Sequence, residues 1–426
     1  MTIIKKVNKP PLIIPLRLGF FLAKRQIIRG NIWTTILIIM VMSLTFINLI
    51  FIGGILTGII ESSSVSNRQL YSGDVIISAL SKKPYIENSP AVISMVKALP
   101  WTEAVSYRFV SSGVIEANYK NKTDLSELSE EAGGLVAGID PEVEDAVTGL
   151  AGKIIEGKYL DSDDTEFILV GADKFFKYTP IDTPSMQNLK NTGVGDKVRV
   201  SVAGRTKEFT IKGIVRSKVG EVDNRIFMIS SSLRDMAGRS DNSVNEIILK
   251  LKDGADPAVA QSALLAAGAG KWGKVQTWEE SQPKFLKDIK GTFTILGDIV
   301  GSIGLVVASI TIFIVIFINA ITRRKFIGIM KGIGINSFAI EFSYVLQSLF
   351  YAGIGTAVGL SILFFALVPY FVSHPVNFPF SDGVLAVTWK GALIRAAFLM
   401  TASLIAGYIP AKLVIRQNTL DAILGR

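Results

Sequence analysis

Four long apolar runs stand out along the chain, at residues 31–60, 288–321, 338–370 and 389–410. Each reaches the roughly 20 residues that an α-helix needs to cross a bilayer. The first two are longer than that, so the outer end of each is expected to project as a helical stalk. Residues 61–287 hold no such run. Short alternating segments fill them instead: Asp74–Ser78, Ala104–Val110, Leu135–Ile139, Phe167–Val170, Lys197–Val202, Glu208–Val215, Arg225–Ile229 and Glu246–Leu251. The clearest is Lys197–Val202, with Val198, Val200 and Val202 on one face and Lys197, Arg199 and Ser201 on the other. That is the period of a half-buried strand. Helices are expected at Ala91–Leu99, Pro141–Thr148, Ser231–Ala237 and Pro257–Ala267. Strands interspersed with helices give an α+β domain. The fold class is therefore a membrane α-helical protein of four transmembrane helices, with a large α+β extracytoplasmic domain inserted between helices 1 and 2.

The charges orient this layout. Lys24, Arg25 and Arg29 precede the first span, a basic loop at 322–337 joins the second and third, and Lys412 and Arg416 follow the fourth. Basic flanks stay in the cytoplasm. Residues 1–30, 322–337 and 411–426 are expected inside, and 61–287 with the short loop 371–388 outside. Lys390 and Arg395 go against this rule and are expected to snorkel to headgroups. Within 1–30, Leu16, Phe20, Ala23 and Ile27 fall on one stripe at 100° per residue. Arg17, Lys24, Arg25 and Arg29 lie away from it, the pattern of an amphipathic interface helix.

Composition narrows the function. Apolar residues make up 49% and charged residues 19%, against about 25% charged in soluble domains. The net charge is +9. Much of the excess lies beside apolar spans, where it sets topology and meets anionic lipid, so no nucleic-acid partner is expected. There is no cysteine, which excludes disulfides, thiol nucleophiles and cysteine metal sites. The single histidine, His374, sits in the short external loop. No acid–base constellation stands out, so no catalytic residue and no metal ligand is assigned. Gly152-Lys153 and Gly270-Lys271 lack the following Ser/Thr and the earlier glycine of a phosphate loop. No cofactor is expected in this chain.

Glycines four apart mark close helix approach: Gly54 and Gly58, Gly297 and Gly301 (with Gly304 beyond), and Gly355 and Gly359. Asp298 would be a functional carboxylate if it lay in the hydrocarbon. The excess length of its span places it in the stalk instead. The basic loop reads TRRKFIGIMKGIGIN over Thr322–Asn336. As a short helix it sets Phe326, Ile329, Met330 and Ile333 in an apolar stripe, while Arg324 and Lys331 point elsewhere. Such a ridge with a basic rim suits a groove on a partner. It equally suits lipid headgroups.

This layout and several of its segments resemble the permease family that includes MacB, LolC, LolE and FtsX. Family members carry a basic run and then E-I-G-I-L-K-A-I-G-A in this loop. Ile327, Gly328, Lys331 and Gly334 fit, Phe326 stands for the usual Glu, and Gly332 for the usual Ala. The third span carries Gln347 before its glycines. Near the C-terminus Tyr408, Pro410, Ala411, Leu420 and Ala422 fit the family ending, with Thr419 where proline is usual. VAGIDPEVEDAV, IIEGKYL, FILVG, VGDKVRV and FTIKGIVRSKVGEVDNRIFM follow the family's extracytoplasmic core in order.

The resemblance implies an ABC transporter permease of the mechanotransmission type in the plasma or inner membrane. A dimeric ATP-binding subunit, holding ATP and Mg, would dock on Arg324, Phe326, Ile327, Gly328, Ile329, Met330, Lys331, Ile333 and Gly334. It further implies a second permease copy or related permease, contact with membrane lipids, and an adaptor or lipoprotein carrier. The substrate would be hydrophobic, lipid-linked or a peptide. An FtsX-like regulator of a cell-wall hydrolase is the alternative; the size of the external domain favours the transporter.

Overall fold

The computed structural model describes residues 13–120, 130–180, 188–378, 381–383 and 385–416. Residues 1–12 and the C-terminal Thr419, Leu420 and Ala422 lie outside the described residues. The chain divides into two compact units. One is Met1–Ile59, Ile289–Val376 and Gly383–Arg426, and the other is Ile60–Asp288 with Asn377–Asp382.

Helices α1 (Ile13–Ile28) and α2 (Ile32–Asn67) come first, and a π-turn at Arg68–Ser72 follows α2. Next come β1 (Val75–Ala79), α3 (Ser89–Lys97), β2 (Thr102–Ala117), β3 (Glu130–Ile139), α4 (Pro141–Thr148), β4 (Ile154–Gly157) and β5 (Phe167–Gly171). The unit continues with β6 (Lys197–Val202), β7 (Arg205–Val215), α5 (Gly220–Asp223), β8 (Arg225–Ile229), α6 (Ser230–Met236), β9 (Glu246–Leu251), α7 (Pro257–Ala266), β10 (Gly273–Thr277) and α8 (Trp278–Ser281). The chain then forms α9 (Lys284–Thr322), α10 (Arg324–Gly332), α11 (Ser337–Ile362), α12 (Val368–Ser373), the short pair β11 (Val376–Phe378) and β12 (Ser381–Gly383), and α13 (Trp389–Ile415).

The eight strands expected from alternation are present as β1, β2, β3 and β5 to β9. β4 and β10 were not expected. One is four residues ending in glycine; the other, GKVQT, carries a single strong hydrophobe. Helix α4 shows why its sequence is so legible. The Asp140 carboxylate accepts from the Val143 N–H, Pro141 opens the helix, and Gly149 closes it at φ +64°. These are the residues that each position prefers.

Strand β2 is the spine of the α+β unit. Its first half, Thr102–Arg108, pairs antiparallel with β9, and β9 leads through β1 to β10. Helices α3 and α7 contribute Val92, Val96, Ala260 and Leu264 to the core on this part of the sheet. The second half of β2 pairs with β3 on one side and β6 on the other. The path β2-β3-β8-β5-β7-β6 returns to β2, a closed ring of strands. Closure leaves those strands without free edges. Val198, Val200 and Val202 are fully buried in its core with Phe109, Ile168 and Phe209, while Lys197 and Arg199 face solvent.

Among the described residues, the helices long and apolar enough to cross a membrane are Ile32–Ser72, Leu286–Thr322, Ser337–Ser373 and Trp389–Ile415, of which the other unit holds the parts up to Ile59 and from Ile289 onward. The third passes through a π-turn at Leu363–Leu367 just before Pro369. A wide turn there accommodates a residue that cannot donate its N–H. Ile38, Met42, Phe46 and Ile50 of α2 are buried at intervals of four, as are Ala308, Ile312, Ile316 and Ala320 of α9. Single faces of both helices thus meet the bundle core. Helix α1 packs on α11 through Gly19, where an added Cβ would lie 2.8 Å from the Ala339 carbonyl. Its buried positions are Pro15, Gly19 and Ala23. Of the expected apolar stripe, Ala23 is buried and Ile27 half-buried, while Leu16 and Phe20 are exposed. The Arg395 guanidinium lies close to Gly53 on α2.

The glycine pairs are used inside the chain. A Cβ on Gly355 would lie 2.5 Å from the Met42 Cβ and 3.2 Å from the Ile39 carbonyl; one on Gly359 would lie 2.8 Å from Phe46. Gly297 faces Gly53, Gly301 faces Leu49, and Gly304 faces Asn48. Gly54 packs against Leu385–Val387, and Gly58 is buried. We expect Gly355→Ala to lower the thermal stability of the detergent-solubilised chain by about 1–3 kcal/mol, because the obstructing atoms are backbone and Cβ. Gly353→Ala, where the nearest atom is the flexible end of Met400 at 3.8 Å, should leave stability unchanged or raise it by up to about 1 kcal/mol through helix propensity. Equal effects would mean that the α2–α11 approach is looser than described.

Candidate functional site

The basic loop folds as helix α10, separated from α9 by Arg323 alone, which breaks the helix at φ −101°, ψ 8°. Its C-terminus is a Schellman turn. The Ile335 N–H donates to the Met330 carbonyl and the Gly334 N–H to the Lys331 carbonyl, each at 3.0 Å. Gly334 sits at φ +90°, a conformation that glycine adopts without strain. Two residues later the Asn336 side chain accepts from the Phe338 N–H at 3.0 Å and caps α11. The C-terminal end of α10 is thereby fixed by backbone geometry, whereas at its N-terminal end Arg323 supplies no side-chain cap.

The faces of α10 separate sharply. Phe326 is 66% exposed, Ile329 43% and Ile333 73%, whereas Ile327 is 2% exposed and Gly328 is buried. The expected stripe needs one correction. Met330 does not share the exposed row; it is partly buried against the helical core. The expected basic rim needs another. Lys331 turns inward and its ammonium donates to the Ile415 carbonyl at 2.9 Å. A cation at the C-terminus of α13 meets the negative end of that helix dipole. Arg324 is half-buried. What remains on the open side is a row of three large apolar side chains, with Lys325 exposed beside it.

A second constellation, in the α+β unit, was not foreseen. Arg108 of β2 and Glu144 of α4 are fully buried and paired at 2.5 Å. Arg108 also reaches Glu246 of β9 at 3.2 Å, and Arg225 of β8 grips the same carboxylate at 2.7 and 2.9 Å. Ser106 donates to Glu144 at 2.7 Å. The Tyr71 hydroxyl, in the π-turn after α2, donates to Glu246 at 3.1 Å and accepts from Arg225 at 3.2 Å. Burial works to raise the Glu246 pKa, but the guanidinium groups of Arg225 and Arg108 override it and hold it down at about 2. Burial, with Glu246 adding to it, pushes the Tyr71 hydroxyl up to about 12, so it stays a donor. Two arginines balance two glutamates, so charge and hydrogen bonds are both largely compensated. The available signal was Arg108 standing between Tyr107 and Phe109 in the largely apolar segment AVSYRFV.

The same turn is tied down nearby. Arg68 pairs with Asp74 and lies 5.4 Å from the Trp278 ring, and Asp74 accepts from the Leu251 N–H at 2.7 Å. Asn67 donates to Glu221 at 3.3 Å. The end of the α2 segment is therefore bonded to β8, β9, α5 and α8. Among the described residues there is no group of three or more His, Asp or Glu placed to hold a metal ion.

Residues 34–267 match the MacB-like periplasmic core domain, and residues 299–419 match the FtsX-like permease C-terminal domain. The chain belongs to the MacB/LolC/FtsX-like permease family. It is 24% identical over 343 residues to the macrolide export ATP-binding/permease protein MacB of Campylobacter jejuni, covering 78% of this chain and 49% of MacB. It is 23% identical to the lipoprotein-releasing system transmembrane protein LolC of Neisseria meningitidis, over 74% of this chain and 76% of LolC. An uncharacterised ABC transporter permease of Methanocaldococcus jannaschii is 23% identical, over 64% of this chain and 65% of that protein. The chain thus spans less than two thirds of the archaeal permease and about half of MacB. The periplasmic region of MacB from Actinobacillus actinomycetemcomitans superposes with a TM-score of 0.33 at 15% identity, over 50% of this chain and 92% of that one.

As a family member, this permease is a membrane protein with an extracytoplasmic domain. The exposed row of α10 lies within the FtsX-like match, and Tyr71, Arg108, Glu144, Arg225 and Glu246 lie within the MacB-like match.

Proposed function

We propose that the chain is the permease subunit of an ABC transporter of the mechanotransmission type. A separate ATP-binding subunit, carrying ATP and Mg, docks on α10 from the cytoplasm. Both termini lie on that side, and residues 61–287 lie outside. The observation that carries this reading is the exposed row Phe326, Ile329 and Ile333 on a helix whose C-terminal turn is held by backbone hydrogen bonds. A fixed apolar ridge fits a partner groove with little ordering cost.

Movement of α10 passes to α9 through the single residue Arg323 and to α11 through the capped turn. Helix α11 contacts α2 at Gly355 and Gly359, so displacement reaches both helices that flank the external domain in sequence. The bonded turn at Arg68–Ser72 delivers it to that domain. Rigid packed elements of this kind carry coupling. Two permease copies, or two related chains, form the working unit. They handle a hydrophobic, lipid-linked or peptide substrate, together with an adaptor or lipoprotein carrier.

Purification of the tagged chain from its native membranes with ATP and vanadate tests the reading. We expect a Walker-motif ATPase in roughly equal amount, retained with nucleotide trapped. Recovery of the intact chain without any such ATPase would refute it.

A further inference from the structure

A polar pocket of 170 Å³ opens where α2 begins and α9 ends. It is lined by Gln26 of α1, Asn31 and Thr35 at the start of α2, Arg323, and Tyr344 and Gln347 of α11, among others. Three features set it apart. Arg323 is the one charged residue of the lining, and no carboxylate faces it there. Tyr344 is fully buried, and its hydroxyl has no hydrogen-bond partner among the described residues. The Gln347 amide is satisfied by Gln26, which fixes the wall between α1 and α11. Among the described residues of the lining this half-buried guanidinium has no counter-charge, and burying a charge unpaired is costly. Its planar fork matches a phosphate, as it does a carboxylate, with two parallel hydrogen bonds. The start of α2 adds the positive end of a helix dipole.

The same two helices form an apolar groove of 480 Å³, lined by Phe20, Ile27 and Ile28 of α1 and Leu346, Leu349 and Phe350 of α11. Polar pocket and apolar groove thus share α1 and α11 as walls. We propose that this pair is a phospholipid site, with the phosphate on Arg323 and Tyr344 and an acyl chain along the groove. The proposal rests on the helices spanning a membrane and not on coupling to ATP. Its position gives it a role, because Arg323 is the hinge between α9 and α10. A lipid phosphate held there sets the angle at which α10 is presented.

Native mass spectrometry of the full chain, titrated with phosphatidylglycerol, tests the site. One lipid should bind ahead of all others. Arg323→Gln should weaken that event by about tenfold or more, as expected for a lost charged hydrogen bond. Tyr344→Phe, which removes only the unpaired hydroxyl, should weaken it by a few-fold without lowering thermal stability. Lys325→Gln, a neighbouring exposed charge, should change it by less than about twofold. Equal losses in Arg323→Gln and Lys325→Gln would mean diffuse charge attraction and overturn the site. So would wild-type affinity in Tyr344→Phe together with Arg323→Gln. Binding of inorganic phosphate without any preferred phosphatidylglycerol would overturn the assignment to lipid. None of these outcomes depends on ATPase activity, so this proposal and the coupling assignment fail separately.

Discussion

Phe326→Asp is expected to abolish ATP-driven coupling while leaving the chain folded. In the docked complex the ring would sit in an apolar groove, and an aspartate there would be a desolvated charge without a partner. Such a group costs several kcal/mol, and each 1.4 kcal/mol is tenfold in affinity. Loss of at least about hundredfold in affinity for the ATP-binding subunit follows. In the free chain Phe326 is mostly exposed, so the same change should alter stability by no more than about 0.5 kcal/mol. ATPase activity of the reconstituted complex and thermal unfolding of the chain measure the two effects separately. Met330→Asp is a poorer probe. Met330 packs against the helical core, so a charge there would disturb the fold and the docking together. Wild-type coupling in Phe326→Asp would remove α10 from the mechanism.

Arg108→Ala is expected to destabilise the α+β unit by about 3–5 kcal/mol, the range for breaking one side of a buried ion pair. Glu144 is fully buried and would keep, among the described residues, only Ser106 and Thr148 as side-chain partners. Domains are stable by about 5–15 kcal/mol in all, so the variant should be cleaved by protease under conditions that spare the wild type. Arg108→Lys should not rescue it, since one ammonium cannot reproduce a fork that reaches both Glu144 and Glu246. Acid gives a second readout. Glu246 is held at about 2 in the fold against an ordinary 4.5. Its contribution is fully present above pH 4.5 and is lost as pH falls from there toward 2. Glu246→Gln should flatten that part of the stability profile. An unchanged acid slope in Glu246→Gln would show that other carboxylates set it.

The large divisions of this protein are written plainly in its sequence because they depend on local runs. Long apolar stretches give the spans, and KVRVSV gives its strand from alternation alone. Asp140-Pro141 and Gly149 give α4 its boundaries. What escaped depends on partners far along the chain. Arg108 reads as an oddity in an apolar strand until folding brings Glu144, Arg225 and Glu246 around it. Lys331 reads as a basic rim residue until the end of α13 arrives 84 residues away. Angular position assigns Phe326, Ile329, Met330 and Ile333 to one stripe, but not which edge of the stripe the bundle will cover. The polar pocket is assembled from the ends of separate helices, and no single stretch announces it.

The most direct test of the account is photocrosslinking from α10 in native membranes. A photoreactive residue at position 326 or 333 should crosslink to an ATPase bearing a Walker motif, with higher yield when ATP and vanadate trap the complex. The same probe at Phe365, the 83% exposed residue of the π-turn in the third span, should yield lipid adducts. Lipid adducts alone at 326 and 333, indistinguishable from those at 365, would contradict the coupling assignment.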